Sequence, residues 1–195
     1  MKVRIGMFAV ALTVFGVVSP APASAASSQA TTGSNCVYLL VPVTTTADGT
    51  LATPSLIGCY STYAAALSAG SDGAIQLPTS ITPATLTDKL LLQATVSLSP
   101  TADVLIGTEW NLNTFGGDSN SYMASSTCSN TQSWSTAYVG DAVNDTYQSG
   151  KGFGGCDTNK KFEDANFGGS NIVCTPNCAD YGSLRNEVSS LKWKP

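Results

Sequence analysis

Residues 36–43 read Cys-Val-Tyr-Leu-Leu-Val-Pro-Val, a short and almost wholly apolar run that predicts a buried strand. Ala47-Asp48-Gly49 reads as a turn, and Leu56-Ile57-Gly58-Cys59-Tyr60 as a second strand. The stretch from Thr62 to Ala69 predicts a short helix, with Thr62 as its cap and Gly70 as its stop. Another helix is expected from Thr85 to about Thr95, opened by Thr87-Asp88, because Leu86, Leu90 and Gln93 alternate with polar positions. Ser97-Leu98-Ser99-Pro100-Thr101 then places proline and hydroxyls between two apolar segments, which marks a boundary. Residues 35–96 are thus expected to form a small α+β segment.

The apolar pattern is different at the start of the chain. Lys2 and Arg4 precede an apolar run from Ile5 to Val18, and Ala23-Ser24-Ala25 supplies a small-x-small cleavage pattern. Residues 1–25 therefore read as an export signal, and residues 26–34 (ASSQATTGS) as a polar, flexible leader. The apolar run is shorter than the roughly 20 residues a membrane span needs, so the expected product is secreted, extracellular and free of a membrane partner.

Beyond residue 102 the pattern repeats. Trp110, Phe115 and Gly117 recur as Phe162, Phe167 and Gly169, each displaced by the same interval, in the text WNLNTFGG against FEDANFGG. An aromatic, a second aromatic and then a glycine at this spacing describe a strand that folds back on itself. The rings pack over the bend, and glycine takes a positive φ that a side chain would oppose. Each copy closes on a polar cluster, Asn144-Asp145-Thr146-Tyr147-Gln148-Ser149 and Arg185-Asn186-Glu187-Val188-Ser189-Ser190. The first copy carries extra residues, most simply between Ser125 and Thr136.

Composition narrows the chemistry. Only 11% of the 195 residues are charged, against 43% hydrophobic, and histidine is absent. That absence removes imidazole acid/base chemistry, Ser-His-Asp and Cys-His nucleophiles and His-x-x-x-His zinc sites, so the chain is expected not to be an enzyme. The formal net charge of −4, which becomes more negative once Lys2 and Arg4 are lost, disfavours nucleic acid as a partner. Six cysteines in an exported chain imply three disulfides. Of the possible pairings the sequentially local set is favoured: Cys36 with Cys59, Cys128 with Cys156, and Cys174 with Cys178. Gly150-Lys151-Gly152-Phe153-Gly154-Gly155 satisfies G-x-G-x-x-G, but no helix is expected after it, so it reads as a linker. Glu109, Asp118, Glu163 and Asp164 are the carboxylates near the hairpins, and nothing in their spacing singles out an acid/base pair. Trp110, Trp134 and Trp193 could form a sugar-stacking platform or simply core.

The doubled hairpin and cluster resemble the βγ-crystallin double Greek key over about residues 103–195, with motifs at about 103–150 and 156–195. With the export signal and a cysteine-clipped region in front, the whole is similar to secreted bacterial βγ-crystallin-like proteins grouped with a metallopeptidase-inhibitor family. The resemblance implies a mainly β protein, a monomeric double Greek-key sandwich, with Ser149 and Ser190 hydrogen-bonding the folded hairpins of their own motifs. It also implies calcium sites shared between motifs. One would use Glu187, Ser189 and Asn144 or Asp145, all offering oxygen, as a hard cation requires. The other has Gln148 where a hydroxyl belongs and Arg185 where an Asn or Asp belongs, and is expected to fail, leaving at most one Ca2+. The inhibitor kinship implies an extracellular peptidase as partner. Cys174-Thr175-Pro176-Asn177-Cys178, a small proline-stiffened ring, is the candidate inhibitory loop. The competing functions are a calcium-stabilised structural module and a toxin-like or carbohydrate-binding protein.

Overall fold

The computed structural model describes residues 34–40, 53–94 and 102–195. The export signal, most of the leader, the turn at 47–49 and the boundary at 97–101 lie outside the described residues. Strands β1 (Asn35–Leu39) and β2 (Ser55–Tyr60) pair antiparallel with Cys36 opposite Cys59, and the disulfide between those two cysteines clips them together. Helix α1 (Tyr63–Gly70) follows, its first turn capped by Thr62 Oγ1 accepting from the Ala65 amide at 3.2 Å. Helix α2 (Asp88–Ala94) begins later than the sequence suggested. Pro83 instead starts a separate 3-10 turn over Pro83–Thr85, and Thr87 Oγ1 accepts from the Leu90 amide at 3.3 Å, which sets the helix start after Thr87.

Gly70 does not stop α1; it is the last helical residue. A Cβ there would stand 2.6 Å from Val37 Cγ2 and 2.9 Å from Met123 Cγ, so glycine lets the helix approach the sheet below.

The rest of the chain is strand and turn: β3 (Val104–Leu112), β4 (Gly116–Ala124), β5 (Trp134–Thr136), β6 (Ser149–Gly152), β7 (Thr158–Phe162), β8 (Asn171–Cys174), β9 (Asn177–Cys178) and β10 (Ser190–Lys194). Two sheets result, in the orders β2-β1-β4-β3-β6-β9 and β5-β10-β7-β8. Within each, a hairpin and the closing strand of one motif (β4-β3-β6, β8-β7-β10) accept one short strand from the other motif (β9, β5). This exchange makes each motif a Greek key that cannot complete its sheet alone.

β1 runs parallel to β4, so the front segment and the C-terminal part share a sheet. They also share core. Val37, Tyr63, Leu67, Leu86 and Leu91 pack with Leu105, Met123 and Phe153 on the outer face of the six-stranded sheet, making α1 and α2 a third layer. Between the sheets lies the second core, which includes Tyr38, Ile106, Tyr122, Tyr147, Tyr181, Leu191 and Trp193. Burying each such side chain contributes on the order of 1.5–3 kcal/mol, so separating the layers would be strongly unfavourable.

Candidate functional site

Each motif begins with a folded hairpin, and in each the same atoms lock it. Ser149 Oγ donates to the Leu112 carbonyl at 2.7 Å and accepts from the Phe115 amide at 3.1 Å. Ser190 Oγ donates to the Asp164 carbonyl at 2.7 Å and accepts from the Phe167 amide at 3.0 Å. Trp110 meets Phe115 edge-on at 5.3 Å, and Phe162 meets Phe167 at 5.5 Å. Gly117 and Gly169 take φ of 75° and 67°. The positive angles do not stop at glycine, however. Thr114 and Phe115 (55° and 61°) and Asn166 and Phe167 (57° and 63°) are left-handed too, at a cost of roughly 1–2 kcal/mol each for a residue with a side chain. Asn166 is of a type that tolerates this region, whereas Thr114, Phe115 and Phe167 carry no such signal in sequence.

The correspondence extends across the motifs. The Thr114 amide donates to the Ala179 carbonyl, and the Asn166 amide to the Ala137 carbonyl. The Asp145 amide donates to the Val188 carbonyl, and the Asn186 amide to the Tyr147 carbonyl. These reciprocal bonds bring the two polar clusters side by side, with Asp145 and Asn186 both at positive φ, 58° and 57°.

On one side of this loop pair the donors are those expected of a cation site. Asp145 Oδ1 stands 3.5 Å from Ser189 Oγ, and Asn144 Nδ2 donates to Asp145 Oδ2 at 2.7 Å, fixing the orientation of that amide. The remaining amide oxygen, Asn144 Oδ1, is buried and has no hydrogen-bond partner. Glu187 is exposed beside them. An oxygen-only set with one orphaned acceptor fits a hard cation. On the other side Gln148 Nε2 donates to Asn186 Oδ1 at 3.2 Å, so two amides face each other there. Arg185 turns away to pair with Asp180, whose carboxyl that guanidinium, with help from the Gly182 amide, holds down to about 2. Among the described residues no group of three His, Cys, Asp or Glu side chains is gathered for a metal.

The Cys174–Cys178 ring joins the sheets rather than standing clear of them. Cys174 ends β8 in the four-stranded sheet and Cys178 lies in β9 of the six-stranded sheet. The Pro176 carbonyl accepts from the Gly152 amide at 3.0 Å and from Asn159 Nδ2 at 2.6 Å. Thr175 and Asn177 are exposed. Cys128–Cys156 forms the third bridge and anchors the extra loop of the first motif.

Between the sheets sits a group that the sequence reading passed over. Glu109 and Lys161 occupy equivalent positions in the two hairpin strands, both are fully buried, and they form an ion pair that Tyr181 joins by donating its hydroxyl to Glu109. Lys161 Nζ also lies 5.4 Å from the Trp193 ring and 5.8 Å from that of Tyr181. Burial pushes the Glu109 carboxyl up and the Lys161 ammonium down, and their mutual attraction opposes both shifts. The interval of the repeat itself would have paired these two residues. The other hairpin carboxylates are struts: Asp118 Oδ2 accepts from Asn111 Nδ2 at 3.1 Å, and Glu163 Oε2 from the Ser170 amide at 2.9 Å. Trp110, Trp134 and Trp193 are all buried, so none forms a platform on the surface.

Two serine-locked hairpins, exchanged strands and reciprocal loop bonds settle the architecture. The fold is βγ-crystallin-like. A βγ-crystallin from an archaeon overlaps 46% of this chain and 98% of its own, at 23% identity and a TM-score of 0.34. For the N-terminal domain of Protein S the figures are 45%, 93%, 21% and 0.34, and for a βγ-crystallin domain from Clostridium beijerinckii 45%, 97%, 19% and 0.33. No family model and no curated protein matches the chain.

Proposed function

We propose that this chain is an exported, non-enzymatic βγ-crystallin-type module whose paired loops hold one calcium ion. The buried, unbonded Asn144 Oδ1, next to Asp145 and Ser189, carries the reading, because a buried acceptor without a donor is stabilised by a cation. Asn144 and Asp145 from the first motif, with the Glu187 carbonyl and Ser189 hydroxyl from the second, would hold the ion, which would supply a cross-motif clamp. The signal-like start and three disulfides support export.

Thermal unfolding with and without calcium tests it. Ion at about 100 times its dissociation constant should add about 2.7 kcal/mol, and Ser189→Ala or Asn144→Ala should remove most of that gain. An unchanged melting curve ends the proposal.

Peptidase inhibition through the Cys174–Cys178 ring is the second reading, favoured by the exposed Thr175 and Asn177 in a closed loop. Its Pro176 carbonyl is engaged internally, which suits a fastener between sheets better than a segment entering an active site. Stoichiometric titration against a thermolysin-type peptidase decides between them.

A further inference from the structure

The outer faces of the two sheets are built alike and treated differently. On the six-stranded sheet, Lys151 Nζ sits 4.5 Å over the Phe115 ring, and three carbonyl oxygens of the front segment receive it: Pro83 (3.4 Å), Ala84 (2.5 Å) and Leu86 (3.4 Å). Asp88 Oδ1 adds a carboxylate contact by accepting from the Gly154 amide at 2.9 Å. Lys192 is the equivalent residue on β10, with its ammonium 3.8 Å over the Phe167 ring. Among the described residues no oxygen acceptor receives it.

Lys192 is not alone on that face. Lys160 lies directly opposite it on β7 and rests 4.9 Å over Phe162, while Lys194 is two residues along β10 on the same side. Like charges directly opposite on neighbouring strands destabilise a sheet, and among the described residues no carboxylate pairs with any of the three. The crowding depresses the Lys192 ammonium, through burial first and then Lys194 and Lys160. Val173 continues the row from Lys160 onto β8 and is 54% exposed, and β8 is an edge strand of its sheet with no further strand paired to it among the described residues. The equivalent edge, β4, is covered by β1.

We infer that the outer face of the four-stranded sheet, Lys160, Lys192, Lys194 and Val173 along the β8 edge, is a docking surface for an acidic polypeptide segment. The chain supplies the template, because a segment of polypeptide covers the same face of the other sheet and receives the equivalent lysine. The three unpaired ammoniums specify acidic side chains where the internal segment offers backbone carbonyls. The Phe162 and Phe167 rings lie beneath lysines and are closed to base stacking, and the rest of the chain is acidic, which speaks against nucleic acid.

The test is a binding titration of the purified full chain with an oligoglutamate peptide, in parallel with polygalacturonate and a single-stranded oligonucleotide. Oligoglutamate should bind best, weaken as salt rises, and lose about tenfold or more in affinity with the triple variant Lys160→Gln, Lys192→Gln, Lys194→Gln. Lys89→Gln, on α2, should leave binding unchanged. If the triple variant folds poorly, Lys194→Gln alone, at an exposed position, should still weaken binding. Undetectable oligoglutamate binding, binding undiminished in the variants, or preference for either of the other polymers overturns the inference. So does self-association of the wild-type chain that the triple variant abolishes, since the occupant would then be a second copy.

Discussion

The two Greek-key motifs share their hairpin locks, turn angles and inner-face register, yet they differ wherever something lies on top of them. At equivalent outward positions, Thr108 and Phe153 of the first motif answer to Lys160 and Lys194 of the second. Thr108 is buried and shares a 2.9 Å hydrogen bond with the Tyr63 hydroxyl of the front layer, and Phe153 is 2% exposed beneath that layer. Lys194 is exposed. The backbone therefore fixes which residues face outward, and the covering layer decides what they must be. Burial of the first face demands apolar or hydrogen-bonded side chains, and exposure of the second permits charge.

The largest expected effect falls where the motifs meet. Lys161→Met would strand the Glu109 carboxylate in the core with only the Tyr181 hydroxyl, at a cost of about 3–5 kcal/mol in chemical denaturation. Changing both Glu109 and Lys161 to Met should recover most of that loss, because two apolar side chains of similar length leave no unpaired charge. A double variant as unstable as the single one would show that the ion pair, rather than the filled space, holds the hairpins in register.

This pair also shows how far the sequence was legible. The repeat interval located both hairpins and their rings, because an aromatic-glycine turn needs particular residue types at particular places, and the polar cluster that ends each copy located the closing serines. The same interval links Glu109 to Lys161, but an acid and a base so far apart in text suggest surface residues, and only the stacking of two sheets buries them. The front segment was harder to read. Val37 and Leu67 are recognisably core residues, but nothing local in 35–39 says that β1 will run parallel to β4 or that Gly70 is small to admit Val37 and Met123. Those are long-range pairings, set by which edge was free. For the loops, Asn144, Asp145 and Ser189 could be named from pattern, whereas the Gln148–Asn186 contact and the Arg185–Asp180 pair depend on side-chain directions the pattern does not hold.

The serine locks offer a symmetric test of smaller size. Ser149→Ala and Ser190→Ala each remove one donation and one acceptance at a folded hairpin, so each should cost about 1–2 kcal/mol. The two losses should agree within about 0.5 kcal/mol if the motifs are energetically equivalent there. A much larger loss for Ser149 would mean that the front layer adds to the stability of the first hairpin, a coupling that thermal denaturation of the two variants side by side would reveal.

The outer faces give the smallest effects and the sharpest contrast. Lys151→Met removes the donor that three front-segment carbonyls receive, so the loss should be about 1 kcal/mol, with faster proteolytic cleavage near Pro83–Thr85 as that turn loosens. Lys192→Met, at the equivalent position, leaves no carbonyl unsatisfied and relieves repulsion from Lys160, so stability should stay within about 0.5 kcal/mol of the parent. Equal losses in the two variants would contradict the view that the front segment covers one face while, among the described residues, nothing covers the other. A loss confined to Lys151 would identify the front segment as the element that has made the first motif's surface into a core.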